Sequence, residues 1–123
     1  MVEFVARLAR HARKANPDFM VILQNAEELL QHRAMVETID AIAKEDLFYG
    51  NDHSQRANSA DSVRESLANL KRAKAAGRPV FVVDYVKEQR TITEAKRRIE
   101  EQGFVPYIGP RDLGRLWLPG VDF

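Results

Sequence analysis

Blocks of helical apolar spacing alternate along this chain with short apolar runs, and that alternation predicts its elements. Phe4, Val5, Leu8, Ala9 and Ala12 fall on one side of a helix over residues 2–15, ended by Asn16-Pro17. Arg7, Arg10 and Arg13 fall on the other side and read as a solvated face. Phe19-Met20-Val21-Ile22-Leu23 is a continuous apolar run, the pattern of a strand covered on both faces, with Gln24 and Asn25 at its carboxyl end. Asn25 followed by Glu28 has the spacing of a helix cap, so a second helix is expected to run to Thr38, burying Leu29, Leu30, Met35 or Val36, and Ile39. Residues 39–43 read as a strand that places Ala41, Ala43 and Glu45 on one face.

A long polar loop follows over residues 50–60. From Ser59 a third helix carries Val63, Leu67, Leu70 and Ala73 on one side and stops at Gly77. Val80-Phe81-Val82-Val83 is the clearest strand, closed by Asp84 and Tyr85. Thr91-Ile92-Thr93-Glu94 has the form of a capping box for a fourth helix ending at Gly103. Residues 104–108 form a last strand, its Pro106 suiting an edge. Leu113, Leu116, Trp117 and Leu118 predict that the tail docks.

Helix and strand thus alternate through one domain, residues 1–123, with crossovers long enough for a parallel sheet. Helix, glycine, apolar strand and tyrosine recur in residues 71–85 and 96–107, as expected of a wound or barrel α/β fold. Ligands bind such folds at the carboxyl ends of the strands. The residues gathered there are Gln24, Asn25, Glu45, Asp46, Asp84, Tyr85 and Tyr107.

Composition narrows the function. Nineteen basic residues against eighteen acidic give a formal charge of +1, which provides no global field for nucleic acid or an anionic membrane. The absence of cysteine excludes disulfides, thiolate metal sites and a cysteine nucleophile. The three histidines, His11, His32 and His53, lack metal-ligand spacing, and no phosphate-binding glycine loop or nucleophile elbow occurs, so neither metal nor cofactor is expected. No apolar run approaches the roughly 20 residues of a membrane span. Met1-Val2-Glu3-Phe4-Val5 enters a helical pattern at once, without the form of a secretory signal, so the expectation is a cytoplasmic chain or a missing beginning.

Glu45 is the leading catalytic candidate. On a small-residue face at a strand end, partial desolvation is expected to raise its pKa toward the range useful for proton transfer, against the plainer reading of a paired strand-end carboxylate. Adjacent Asp46 points elsewhere and reads as structural. Asp84 ends an apolar strand, where a charge is either functional or hydrogen-bonded by the next loop. Tyr49, Tyr85 and Tyr107 offer aromatic faces for a sugar or ordinary rim packing. A phospho-receiver domain fits the length but lacks the acidic pair after the first strand.

Three segments together carry a specific likeness. Asn16-Pro17-Asp18-Phe19-Met20-Val21-Ile22-Leu23-Gln24-Asn25-Ala26-Glu27-Glu28-Leu29, then Glu45-Asp46-Leu47-Phe48-Tyr49-Gly50, then Pro79-Val80-Phe81-Val82-Val83-Asp84-Tyr85, resemble the glycoside hydrolase family typified by endo-α-1,4-polygalactosaminidase. The resemblance implies the C-terminal half, strands five to eight, of a (β/α)₈ barrel from a secreted parent protein. It implies that Glu45 is the strand-six acid, the proton donor or one of two carboxylates flanking the scissile bond. Gln24, Asn25, Tyr49, Asp84, Tyr85 and Tyr107 would then face a polysaccharide or oligosaccharide containing galactosamine. The family's partner aspartate, at the end of strand four, has no counterpart here. The chain is therefore expected to be inactive alone, and to self-associate or pair with a complementary N-terminal half. The alternative is a non-catalytic carbohydrate-binding or assembly module.

Overall fold

Residues 22–24, 41–45, 80–84 and 105–108 pair side by side, in chain order and all parallel, in a computed structural model that describes residues 1–114. The elements are α1 (Val2–Ala15), β1 (Ile22–Gln24), a 3-10 turn (Glu27–Gln31), α2 (Arg33–Thr38), β2 (Ala41–Glu45), α3 (Ala60–Ala75), β3 (Val80–Asp84), α4 (Gln89–Glu101) and β4 (Val105–Ile108). Each strand is separated from the next by helix, the α/β architecture expected from the pattern. Among the described residues no helix is long and apolar enough to cross a membrane. Of the expected docking tail, Leu113 is exposed, while Leu116, Trp117 and Leu118 lie outside the described residues.

Register sorts the strand residues into two faces. Gln24, Ala43, Phe81 and Val105 lie in one row, and Glu45, Val83 and Tyr107 in the next, on the same face. Ile42, Val80, Val82, Asp84 and Ile108 occupy the other face and are buried. There they meet Leu30, Met35, Ile39, Val63, Leu70, Ala73, Ala95, Ile99 and Phe104 from the helical layer and its flanks. Among the described residues the first face has no helices against it: Ile22 is 55% exposed, Phe81 36% and Val105 50%. β1, expected to be covered on both faces, is thus an edge strand covered on one. An unbroken apolar run encodes two apolar faces, and only the helical one is met within these residues.

Two helix starts differ from expectation. Asn25 does not cap a helix; Asn25 and Ala26 both adopt left-handed backbone, and the segment after them is a 3-10 turn that breaks at His32 before α2. The Asn25 amide is used elsewhere, as described below. α4 opens after Glu88 rather than at Thr91, and the Thr93 hydroxyl bonds back to the Gln89 carbonyl inside the helix. Ser59 caps α3 as expected, accepting a bond from the Ser62 amide. Arg13, expected on the solvated face, instead donates to the Asp40 carboxylate at 2.8 Å and the Thr38 carbonyl at 2.9 Å, tying α1 to the start of β2. On the helical side of the sheet, Lys44 pairs with Glu27 at 3.1 Å, and the Ser66 hydroxyl donates to the same carboxylate at 2.7 Å.

Candidate active site

β2 delivers Glu45 at its carboxyl end on the open face, and side chains from the neighbouring strand ends hold it there. The Asn25 amide N–H donates to the Ala43 carbonyl at 2.7 Å, continuing the β1–β2 ladder. The Asn25 side chain then engages Glu45 twice: Oδ1 accepts from the Glu45 N–H at 2.9 Å, and Nδ2 donates to Oε2 at 3.1 Å. From the end of β3, the Tyr85 hydroxyl donates to Oε1. Both carboxylate oxygens therefore accept hydrogen bonds from neutral donors.

Those bonds decide the charge of the group. The Tyr85 and Asn25 bonds outweigh burial and hold Glu45 below the usual glutamate range, with smaller contributions from Gln24 and from the Arg111 charge. The expectation of a raised Glu45 is reversed, because its face of the sheet is open and desolvation is the lesser effect. The Tyr85 phenol, by contrast, is pushed up by burial and by its bond to Glu45.

A second layer stands behind the first. Asp46 turns left-handed at φ 54° immediately after Glu45. Its carboxylate takes both arms of the Arg111 guanidinium, at 2.9 and 3.2 Å, which fits its reading as a structural neighbour of Glu45. Arg111 also lies over the Tyr85 ring, 4.6 Å from its centroid, and donates to the Gly50 carbonyl at 3.3 Å. Gly50 is required twice over. Its φ is +83°, and a Cβ there would stand 3.0 Å from Arg111 Nη2 and 2.9 Å from the Ser54 carbonyl. Asn25, which bonds to Glu45, its neighbour Ala26, and Asp46, next to Glu45 in the chain, all carry side chains in left-handed backbone, each costing on the order of 1 kcal/mol or more.

The other sequence candidates divide. Gln24 lies one row from Glu45 on the open face, and Tyr107 lies two strands across in the same row. Asp84 is wholly buried on the helical face, where its carboxylate accepts from the amides of Leu47 at 2.8 Å and Phe48 at 3.3 Å. It has no surface with which to touch a ligand, so the expected substrate contact becomes an anchor for the chain leaving β2. Tyr85 is only 4% exposed and is committed to Glu45, which replaces the expected sugar platform with a supporting role. Tyr49 pairs with Ala57 and lines an open groove with Arg90, Thr91, Thr93 and Glu94 at the start of α4; it is not brought to Glu45. Arg111 was not among the candidates. Its one sequence signal is position, a cation three residues beyond the last strand at the carboxyl edge of the sheet.

A family model matches residues 1–119. The chain belongs to glycoside hydrolase family GH114. Its relatives include an uncharacterized protein of Deinococcus radiodurans, 35% identical over 118 residues, which cover 96% of this chain and 38% of that protein. Another, from Methanocaldococcus jannaschii, is 31% identical over 99% of this chain and 39% of its own length. The chain thus spans well under half the length of these relatives. In fold it is similar to the glycoside hydrolase domain of PelA from Pseudomonas aeruginosa, with a TM-score of 0.71 and 21% identity over 94% of this chain and 45% of that domain's chain. The four parallel strands and their helices therefore correspond to part of a GH114-type α/β fold.

Proposed function

We propose that this chain supplies one catalytic carboxylate, Glu45, and one wall of the sugar cleft to a glycoside hydrolase acting on galactosamine-containing polysaccharide. The observation that carries this reading is the Glu45 site itself. A carboxylate at a strand end is gripped by two side chains and adjoined by left-handed backbone at Asn25 and Asp46, on the sheet face that has no helices over it among the described residues. Rigid fixation of a reacting group at a strand end is what glycoside hydrolysis by two carboxylates requires.

The open face supports a role as strands five to eight of a barrel. Ile22, Phe81 and Val105 are exposed beside Ala43 and Glu45, as barrel-interior residues are when nothing stands opposite. A complementary half, or a second copy, would cover them. Closure would also desolvate Glu45 and raise its pKa from the ionised state of the open chain toward that of a proton donor. Gln24 and Tyr107, on the same face, are the substrate-facing residues in this reading.

The second reading, a non-catalytic carbohydrate-binding or assembly module, is favoured by one observation. Glu45 is the sole acid on the open strand face among the described residues, since Asp46 is paired with Arg111 and Asp84 is buried. Incubation with galactosamine oligosaccharides separates the readings, using the chain alone and mixed with the N-terminal half of a full-length relative. The expected result is turnover in the mixture and none by the chain alone. Binding without turnover in a mixture that forms a stable complex would favour the module.

A further inference from the structure

The groups nearest Glu45 do not stand by themselves. Tyr85 reaches the carboxylate from a short connection after β3, and a phenol there could rotate away from Oε1 unless something fixed its ring. Arg111 is placed to do so. Its guanidinium lies across the ring at 4.6 Å, and the same group is fastened by two N–H bonds to Asp46 and a third to the Gly50 carbonyl. The fork and the stack use the planar shape of the guanidinium as well as its charge. Asp46 is covalently the next residue after Glu45, so the pair closes a loop: Glu45, Tyr85, Arg111, Asp46 and back along the backbone to Glu45. Gly50 completes the enclosure, since a side chain there would collide with Arg111.

We propose that Arg111, anchored by Asp46 and admitted by Gly50, is a positioning residue that clamps the Tyr85 ring and thereby fixes the orientation of the Glu45 carboxylate. The inference deepens the proposed function and rests on it for its catalytic meaning, but the clamp itself is a property of this chain. Arg111 does not touch the open cleft face in this role. It acts through Tyr85, and the loop after β4 thereby controls a carboxylate on β2.

The test exploits the difference between a clamp and a point charge. The chain is prepared with carbon-13-labelled glutamate side chains, and the Glu45 carboxyl resonance is followed against pH in wild type, Arg111→Lys and Asp46→Ala, with Glu45→Gln identifying the signal. Circular dichroism and amide spectra establish that each variant is folded. Arg111→Lys keeps the charge but loses the fork and the stack; the clamp predicts that the Glu45 midpoint rises toward its ordinary value. Asp46→Ala removes a negative neighbour, which by charge alone would lower Glu45; the clamp predicts a rise, because the released guanidinium no longer holds Tyr85. Tyr85→Phe should raise it most. A midpoint unchanged in Arg111→Lys, or one that falls in Asp46→Ala, would overturn the proposal. Turnover by the assembled enzyme that survives Glu45→Gln would instead remove the proposed function and leave these midpoints as they are, so the two failures are distinguishable.

Discussion

Glu45 and Asp84 sit at the carboxyl ends of adjacent strands and are driven in opposite directions by their surroundings. Glu45 looks out from the open face, accepts bonds from Tyr85 and Asn25, and is held ionised. Asp84 looks into the helical layer, where burial outweighs the two amide bonds it accepts and raises it to about 6. Its folded pKa therefore lies above the unfolded value of 3.8, and between the two the native state retains a proton that the unfolded chain has lost. Stability from this residue is greatest below about pH 4 and declines as pH rises through about 6. Asp84→Asn removes that dependence. Denaturant unfolding of both proteins should show the stability difference moving in favour of the variant by about 2 kcal/mol between pH 4 and 7. A difference that does not vary with pH would show that Asp84 titrates normally. The sequence marked both acids as unusual by their positions at strand ends. The period of two placed Glu45 with Ala41 and Ala43, and the register has it there, because β2 continues through Lys44 to Glu45. For Asp84 the sequence left function and a hydrogen bond from the next loop both open, and packing against the helical layer decides between them.

At the scale of elements, α1, α3 and the strands were legible from their apolar spacing, although Phe4 and Leu8 of α1 and Ile22 of β1 stay exposed. Legibility failed where a local signal had a tertiary competitor. Asn25 has a capping residue's chemistry, but its amide is taken by Glu45, and the backbone turns left-handed to allow it. Thr91-Ile92-Thr93-Glu94 has a capping box's letters but lies within α4, with Glu94 turned to Arg97. Arg111 was invisible because nothing in a lone arginine after a strand records that a tyrosine ring and an aspartate will converge on it. The strands carry a further consequence. Phe81 and Val105 stand side by side, exposed, on a sheet whose edges are β1 and β4. A face of this kind favours association. Sedimentation should show concentration-dependent self-association with binding of a hydrophobic dye, both weakened by Phe81→Ser with Val105→Thr. A stable monomer that binds no dye would contradict the open-face account.

For the molecule as a whole, the family, the parallel α/β fold and the Glu45 site converge on one arrangement. A packed helical layer covers one sheet face, and the other face presents an acid bonded by neighbouring strand ends. The apolar runs are continuous because both strand faces are apolar, and among the described residues helices pack only one of them. Glu45 is held ionised on the open face because its bonds from Tyr85 and Asn25 outweigh desolvation. The central claim is that Glu45 is the carboxylate this chain brings to catalysis. Its most direct test is the rate of galactosamine-oligosaccharide hydrolysis by the chain assembled with an N-terminal half, comparing wild type with Glu45→Gln at equal complex concentration. The account predicts that Glu45→Gln assembles normally and loses roughly 10²- to 10⁴-fold or more of the rate, the scale of a positioned acid–base group. An assembled Glu45→Gln enzyme with near wild-type turnover would contradict it.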